Sequence, residues 1–336
     1  MKTVAACWLR LVPCLLVTGC TGWQSALDAH GTSAINIKQL IILIVGVCSV
    51  VWMLVMMALI GALWRRRQVR SRPTDLNERT EQRMTRSVVT ATIATVVVIA
   101  GFTIASFLTT RALGVAEGSD LNIRVRGAQW WWNVEYLDTE PGKRFQTANE
   151  IHIPVGKNIR LYLEGDDVIH SFWVPSLAGK QDLIPGRHNE LLIRAERSGV
   201  YRGQCAEFCC LQHAHMGFLV IAEPEADFQQ WAEAQRRPAI SDANEEIAAG
   251  RTAFVAKACA SCHTVRGTQA AGTTGPDLTH VGSRQMIAAG LFDTSRGSLA
   301  AWIADPQTLK PGNNMPWVPL APDELRAISA YMASLK

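Results

Sequence analysis

Hydrophobic and polar residues are distributed unevenly along the chain, and two long uncharged runs stand out near its beginning. The runs cover residues 39–64 and 87–110, and basic residues flank both of them. At about 1.5 Å per residue, a helix formed by either run can cross a hydrocarbon core of about 30 Å. The pattern therefore predicts two transmembrane helices, and buried core helices are the alternative interpretation.

The connection between these runs, residues 65–86, carries many arginines and few acidic residues. An excess of positive charge in a short loop marks the cytoplasmic side of a membrane. We therefore expect a two-pass protein of the bacterial plasma membrane, with both termini and everything after residue 110 on the periplasmic side.

The first residues are typical of an export signal. Lys2 and Arg10 carry the positive charge, an apolar run follows, and small residues precede Cys20. This order predicts a signal peptide over residues 1–19 and an exported segment over residues 20–38. The small residues before Cys20 also resemble the processing site of bacterial lipoproteins, which predicts a lipid anchor there. An ordinary signal or an uncleaved segment is the alternative.

Later in the chain the hydrophobic period changes twice. Residues 111–225 contain short alternating stretches separated by turns with proline and glycine, a pattern typical of a β-sandwich or small barrel. A polar linker is predicted over residues 226–240. Residues 241–336 return to a helical period and end in an amphipathic segment that begins at Pro322, so they predict a small α domain.

Composition adds little to this picture except through cysteine. The chain has 336 residues, enough for several domains, and its net charge of +4 does not indicate nucleic-acid binding. The cysteines in the predicted exported part are Cys205, Cys209, Cys210, Cys259 and Cys262. An odd number in an oxidising compartment argues against a simple disulfide framework.

Cys259, Cys262 and His263 form a Cys-x-x-Cys-His pattern, which is the attachment pattern for c-type haem. The two thiols add to the haem vinyl groups, and the adjacent histidine takes one axial position on the iron. A redox dithiol or a zinc half-site, the alternatives, would not need His263. Met315 lies on a predicted loop and is the expected second axial ligand, with Met286 as the alternative.

A second cluster of soft ligands lies in one short segment, where Cys205, Cys209, His213 and Met216 follow each other closely. Two thiolates, an imidazole and a thioether favour copper over zinc, magnesium or calcium. Two thiolates can also bridge two copper ions, and a binuclear site needs a further imidazole, for which His170 is the candidate. A disulfide between the two cysteines is the alternative, but it explains neither the histidines nor the methionine.

These motifs resemble two known families. The part from residue 241 onward resembles class I cytochromes c, through a Gly-Pro-Asp-Leu segment at 275–278 and a Met-Pro pair at 315–316. The membrane helices and the β region resemble subunit II of haem-copper cytochrome c oxidases, which has a cupredoxin fold and a binuclear copper centre, CuA. The motifs that carry this second resemblance are Gln-Trp-Trp-Trp at 129–132, the segment around His170, the segment 180–187 and Cys-x-Glu-x-Cys at 205–209.

The oxidase resemblance implies a role for each residue of these motifs. The implied CuA ligands are the side chains of His170, Cys205, Cys209, His213 and Met216 and the main-chain carbonyl of Glu207. The Glu207 side chain would reach a Mg²⁺ at the boundary with subunit I, and Trp130 would be the gateway for electrons from cytochrome c. His215 is expected to be a solvent-side neighbour, although spacing alone would let it replace His213.

Two positions depart from the oxidase pattern. Cys210 stands where the family has glycine, so a third thiol lies beside the predicted centre. The family also carries a glutamate near the start of its second membrane helix that serves proton uptake. Glu78 and Glu81 align with it only loosely, so no proton-path residue is predicted.

The predicted fold class is a multidomain membrane protein with two transmembrane α-helices, a cupredoxin-like Greek-key β-barrel and an all-α cytochrome c domain. The resemblance implies the electron-input subunit of a bacterial cytochrome c oxidase. It would take electrons from cytochrome c or another donor through its own haem c and CuA to subunit I, where O₂ is reduced. Subunit I and other membrane subunits are the expected partners. The alternatives are a tethered electron carrier for another terminal reductase, such as a nitrous-oxide reductase, and a copper-delivery or thiol-redox protein.

Overall fold

The computed structural model describes residue 22 and residues 24–68, 78–114, 118–239 and 244–336. The predicted signal peptide and Cys20 lie outside these residues, so both stay predictions. The chain divides into two compact units, one formed by Ile35–Ala116 and the other by Met1–Ala34 with Glu117–Lys336.

Two long helices dominate the described residues of the unit Ile35–Ala116. They are α1, Thr32–Gln68, and α2, Glu78–Gly114. Each contains a stretch long and apolar enough to cross a membrane, with mean hydropathies of 2.9 and 2.3. Most of their large apolar side chains are exposed within the unit, as expected of helices whose solvent is lipid.

Both helices extend beyond the predicted segments 39–64 and 87–110, and so shorten the predicted loop 65–86 at both ends. The uncharged run marks only the part of a helix that can lie in hydrocarbon. Charged residues such as Glu81 and Arg111 are good enough helix formers to continue the backbone hydrogen bonding outside it.

The β domain begins at Leu121 and contains ten strands within residues 118–239, arranged as two five-stranded sheets. The strands are β1 Leu121–Ala128, β2 Trp131–Leu137, β3 Phe145–Ala148, β4 Glu150–Pro154, β5 Ile159–Gly165, β6 His170–Trp173, β7 Gln181–Leu183, β8 Asn189–Ile193, β9 Gly199–Cys205 and β10 Gly217–Glu223. One sheet has the order β3-β2-β1-β5-β8 and the other β4-β10-β9-β6-β7. The parallel pairs β1–β5 and β4–β10 join strands that are distant in sequence.

The core of the β domain lies between the two sheets. Trp132 of β2 is fully buried and meets the rings of Phe172 and Phe218 edge-on, at centroid distances of 5.9 and 5.0 Å. Such T-shaped pairs are a preferred geometry for aromatic rings. Because the ring of His170 also lies 6.2 Å from Trp132, this core supports the end of the sandwich where the predicted copper ligands lie.

The predicted linker over residues 226–240 is mostly a helix, α3, Glu225–Arg236. Phe228 and Ala232 of this helix are buried, and Trp231 stacks on the His152 ring with centroids 3.9 Å apart. The segment predicted as a linker is thus largely helical, because these three residues give an otherwise polar segment an apolar face. Their spacing of three and four residues places them together on one side of a helix.

The α domain, residues 244–336, contains five helices and a small hairpin. They are α4 Glu245–Ala256, α5 Cys259–Cys262, α6 Arg296–Ala304, α7 Pro306–Leu309 and α8 Pro322–Ser334, with strands β11 Met286–Ile287 and β12 Phe292–Asp293. Helices α4 and α8 pack so closely that a Cβ added at Gly250 would lie 2.0 Å from the carbonyl oxygen of Ala327. Asn244 caps α4 by accepting a hydrogen bond of 2.8 Å from the amide of Ile247.

Two long apolar helices, a two-sheet β domain and a helical C-terminal domain confirm the predicted fold class. The β domain and the α domain belong to the same compact unit. Their contacts with each other therefore form part of the candidate functional site.

Candidate copper and haem sites

The scaffold of the copper cluster is the paired ends of strands β9 and β10. Cys205 is the last residue of β9, and its amide donates a 3.0 Å hydrogen bond to the carbonyl of Met216, which directly precedes β10. Strand β6 lies beside β9 and pairs Phe172 with Cys205, which places His170 at the same end of the sheet. The loop between β9 and β10 therefore closes beside a histidine from a distant strand.

Two sulfur atoms lie at the centre of this cluster. The Sγ atoms of Cys205 and Cys209 are 3.7 Å apart, far beyond a disulfide bond of about 2.05 Å. The Nδ1 atom of His170 lies 3.9 Å and the carbonyl oxygen of Glu207 3.2 Å from the Cys205 sulfur. The ligand atoms of the histidine and the two cysteines all lie within 4.8 Å of one another.

The remaining two predicted copper ligands lie beside the other sulfur. The Nδ1 atom of His213 is 3.6 Å and the Sδ atom of Met216 is 3.8 Å from the Cys209 sulfur. His215 is exposed, and its ring bonds to Gln212 instead. The structure thus brings together all six predicted donor groups and places His215 outside them. Two soft thiols flanked by imidazole, thioether and carbonyl donors fit copper well.

The protons of the two cysteines are held unequally. The contact with the Cys209 thiol lowers the pKa of Cys205 to about 3, with a further contribution from His170. The same contact, together with burial, raises the pKa of Cys209. A metal held by both thiolates would displace the proton of Cys209, so metal uptake would release a proton.

Asp167 orients the histidine of this cluster. One of its carboxylate oxygens lies 2.8 Å from the Nε2 atom of His170, which leaves Nδ1 facing the Cys205 sulfur. Its other oxygen accepts a 2.6 Å hydrogen bond from the amide of Gln129. A carboxylate that bonds to the other ring nitrogen of a ligand histidine fixes the tautomer of that histidine. The sequence analysis gave Asp167 no role, although a carboxylate three residues before a candidate ligand is a signal that could have found it.

Trp130 lies between the copper cluster and the α domain. Its indole Nε1 donates a 2.5 Å hydrogen bond to the carbonyl of Cys209. Its side of the cluster is covered by the α domain: a Cβ added at Gly312 would lie 3.6 Å from the indole ring. Trp130 is only 6% exposed as a result.

The predicted haem-attachment residues lie on and just after the short helix α5. Cys259 and Cys262 are half-buried with free thiols, and His263 follows directly. The Nδ1 atom of His263 lies 2.8 Å from the carbonyl of Pro276, which leaves Nε2 available to a metal. Burial lowers the pKa of His263 and so favours the neutral imidazole that binds iron.

The backbone around His263 packs closely against its imidazole ring. A Cβ added at Gly275 would lie 2.6 Å from the imidazole Cε1 atom, so only glycine lets this loop pass so closely. Met315 is half-buried on the loop before α8, and its amide and carbonyl are held by Asn313 and Gln307 at 2.8 Å each. These residues fit a c-type haem. Met286, the alternative ligand, belongs to strand β11.

Comparison with known proteins matches both of the domains that carry these clusters. The family model described as Cytochrome C oxidase subunit II, periplasmic domain, matches residues 137–223, and the model described as Cytochrome c matches residues 247–336. A cytochrome c oxidase subunit 2 from Alkalihalophilus pseudofirmus is 33% identical over 96% of this chain and 94% of its own length. This chain belongs to the cytochrome c oxidase subunit 2 family.

Further relatives of the family match parts of the chain. The cytochrome c oxidase subunit 2 of Bacillus subtilis is 31% identical over 64% of this chain and 62% of its own length. The crystal structure of the periplasmic domain of subunit II from Bradyrhizobium japonicum is 33% identical, with a TM-score of 0.34, and covers 36% of this chain and 96% of that domain.

Membership of the family makes this chain a membrane-anchored component of a haem-copper oxidase with a role in electron input. The subunit II domain implies CuA copper, and the cytochrome c domain implies haem c. The assignment favours the oxidase over a carrier for another reductase or a copper-delivery protein.

Proposed function

We propose that this subunit passes single electrons from an external donor through its own haem c and CuA to subunit I. One observation carries the proposal: covalent bonds and hydrogen bonds form a continuous path from Met315, the predicted haem ligand, to Cys209 of the copper cluster. Asn314, the neighbour of the predicted haem ligand Met315, donates a 3.2 Å hydrogen bond to the carbonyl of Gln129. Gln129 is bonded to Trp130, whose indole reaches the carbonyl of Cys209.

The residues that would hold each group follow from the geometry. CuA would be held by the side chains of His170, Cys205, Cys209, His213 and Met216 and by the Glu207 carbonyl. Haem would be held covalently by Cys259 and Cys262, and His263 and Met315 would bind its iron. Bound there, the two groups would supply one-electron redox chemistry with no bond made or broken in the protein.

The residues of the β domain contribute rigidity and exclusion of water. His170, Cys209 and Met216 are fully buried, and the strands that carry the cluster are held by backbone pairing. Because donors and dipoles around the cluster are fixed in advance, little has to reorganise when the charge of the site changes. Trp130 then bridges the buried cluster and the α domain, as its predicted gateway role requires.

The Mg²⁺ prediction concerns the Glu207 side chain, which is exposed. Among the described residues, His170, Cys205 and Cys209 are the only group of three or more cysteines, histidines or acids gathered closely enough to hold a metal. A Mg²⁺ on Glu207 would therefore need ligands from subunit I, as a site at the subunit boundary implies.

The topology is also a proposal. The hydropathy of α1 and α2 and the arginine-rich connection between them support two membrane crossings with that connection in the cytoplasm. The β domain, predicted over 111–225 but beginning at Leu121 after the end of α2, and the α domain, predicted over 241–336, would then lie in the periplasm. A lipid on Cys20 would add a second anchor.

Electron transfer can be tested in the purified oxidase complex that contains the full chain. We expect an EPR signal from one electron shared by two copper nuclei. After a flash that reduces haem c, we expect reoxidation of haem c with matching reduction of CuA. An ordinary mononuclear copper signal, or haem c reoxidation without CuA reduction, would contradict the proposal.

A further inference from the structure

Lys310 is a buried lysine at the contact between the α domain and the β domain. It follows α7 in sequence and is only 2% exposed. Its Nζ atom donates hydrogen bonds to three backbone carbonyls, those of Trp130 at 2.8 Å, His215 at 2.7 Å and Ala288 at 3.0 Å. An ammonium group has three donors, so these three carbonyls satisfy it completely.

The charge of Lys310 is held without an acidic partner. Among the described residues, the Cys209 thiol and no carboxylate acts electrostatically on Nζ. Burial lowers the pKa of Lys310 to about 7, which reflects the free energy needed to desolvate the ammonium. Two of its three carbonyls, those of Trp130 and His215, belong to the β domain. A lysine held at such a cost across a contact between domains indicates a specific role there.

A second buried charged side chain, Glu150, extends from the β domain to the backbone of the α domain. Glu150 of strand β4 is 4% exposed. Its Oε1 atom accepts hydrogen bonds from the backbone amides of Gln285 and Met286 in the α domain, the latter at 3.2 Å. Charge-assisted hydrogen bonds of this kind are stronger than neutral ones. Each domain therefore inserts one charged side chain into backbone groups of the other.

The backbone between the Lys310 and Glu150 contacts has an unusual conformation at Ala288 and Ala289. Ala288 and Ala289 have φ angles of 54° and 60°, in the left-handed region that is unfavourable for alanine. Their carbonyls accept hydrogen bonds from Lys310 and from the amide of Gly217, at 3.0 and 2.9 Å. Residues adjoining the copper cluster are thus tied directly to this segment of the α domain.

We propose that Lys310 and Glu150 are positioning residues that keep the α domain docked over Trp130. This inference rests on the proposed function. Haem c and CuA would then exchange electrons within one fixed body, without a diffusive encounter between tethered domains. Since the α domain covers Trp130, an external donor would deliver electrons to the haem and not to Trp130.

The test uses Lys310→Met in the full chain, assembled into the oxidase, with the exposed Lys143→Met as the matched control. Hydrogen exchange at the amides of Gly217 and Met286 reports on the contact. Loss of the charged hydrogen bonds should accelerate exchange at both amides by about tenfold or more in Lys310→Met only. Exchange in strand β1 and helix α4 should stay unchanged.

Either of two results would overturn the proposal. Unchanged exchange at the two amides would show that Lys310 does not hold the contact. Equally accelerated exchange in α4 would show that it merely stabilises the α domain. Should Lys310→Met fail to fold, Glu150→Ala removes the acceptor of the opposite contact and must accelerate exchange at Met286.

Electron transfer after flash reduction of haem c tests whether the α domain is docked before the transfer. In the unmodified oxidase, transfer from haem c to CuA should be independent of solvent viscosity, because no domain movement precedes it. In Lys310→Met the transfer should become slower and viscosity-dependent. Viscosity dependence in the unmodified protein would contradict the docked arrangement but not the proposed function. Absence of the binuclear copper or haem c signal would instead contradict the proposed function.

Discussion

The copper cluster of the β domain and the haem-binding region of the α domain are built in different ways. The predicted ligands His170, Cys209 and Met216 are fully buried, at the start of β6 or in the loop between the paired strands β9 and β10. The predicted haem ligands His263 and Met315 are half-buried and lie on loops. In one region the protein fold sets the distances between ligands. In the other, short segments are arranged to surround a large planar group.

This difference predicts where each region is sensitive to mutation. In the copper cluster the other predicted ligands approach the sulfurs of Cys205 and Cys209, so the loss of either sulfur removes a neighbour from several of them. In the haem region each residue makes its own backbone contacts, as His263 does with Pro276 and Met315 with Gln307. Changes there should alter one bond to the haem and leave the surrounding chain in place.

Cys209→Ser should have the largest effect. Serine removes the sulfur that Cys205, His213 and Met216 all approach within 4 Å, so the binuclear copper signal should disappear. Haem c content should remain unchanged because the haem residues lie in another domain. Copper analysis and EPR of the purified oxidase, with its haem spectrum, would measure both.

Cys210→Gly is the matched control for that variant. Cys210 is exposed and has a φ of 76°, which glycine adopts without strain. Copper content should be unchanged, and the free energy of unfolding should rise by about 1 kcal/mol. Retention of copper by Cys209→Ser, or its loss from Cys210→Gly, would show that the cluster is not organised around Cys209.

Met315→Leu should have a more restricted effect in the α domain. The substitution conserves volume but removes the thioether, so haem should stay attached through Cys259 and Cys262 while its axial ligation and reduction potential change. Absorption spectra and a redox titration would detect this. Met286→Leu, in the β11 hairpin, is the control and should leave the spectrum unchanged. A spectral change in Met286→Leu alone would transfer the ligand role to Met286.

The sequence predicted much of this molecule because its strongest signals are local. Long apolar runs predicted α1 and α2, and the alternating and helical periods predicted the order of the β and α domains. The donor groups in the 205–216 segment lie close in sequence, so their spacing alone indicated copper. The need for a further imidazole made His170 a candidate, whereas the roles of the Glu207 carbonyl and of Trp130 depended on the family resemblance.

Contacts between segments that are distant in sequence could not be predicted from local sequence patterns. Lys310 and Trp130 are 180 positions apart, and Glu150 and Gln285 are 135 apart. Nothing in the local pattern distinguishes these residues from ordinary surface charges, which is what most lysines and glutamates are. Helix α3 was missed for a related reason, since its apolar face is defined by the β domain that it covers.

Asp167→Asn should have the smallest effect, because it changes no ligand. The asparagine keeps the shape but loses the charge that holds Nε2 of His170, so copper affinity should fall by about 10- to 100-fold while the binuclear signal persists at saturating copper. Asp166→Asn is the matched control, because Asp166 faces Arg126 at 3.7 Å and not the histidine. Copper titration of both variants would compare them. Equal losses in the two variants would mean that general negative charge, and not the contact with His170, supports the site. A loss confined to Asp167→Asn would extend the comparison of the two regions, because the β fold would then set the copper geometry beyond the ligands themselves.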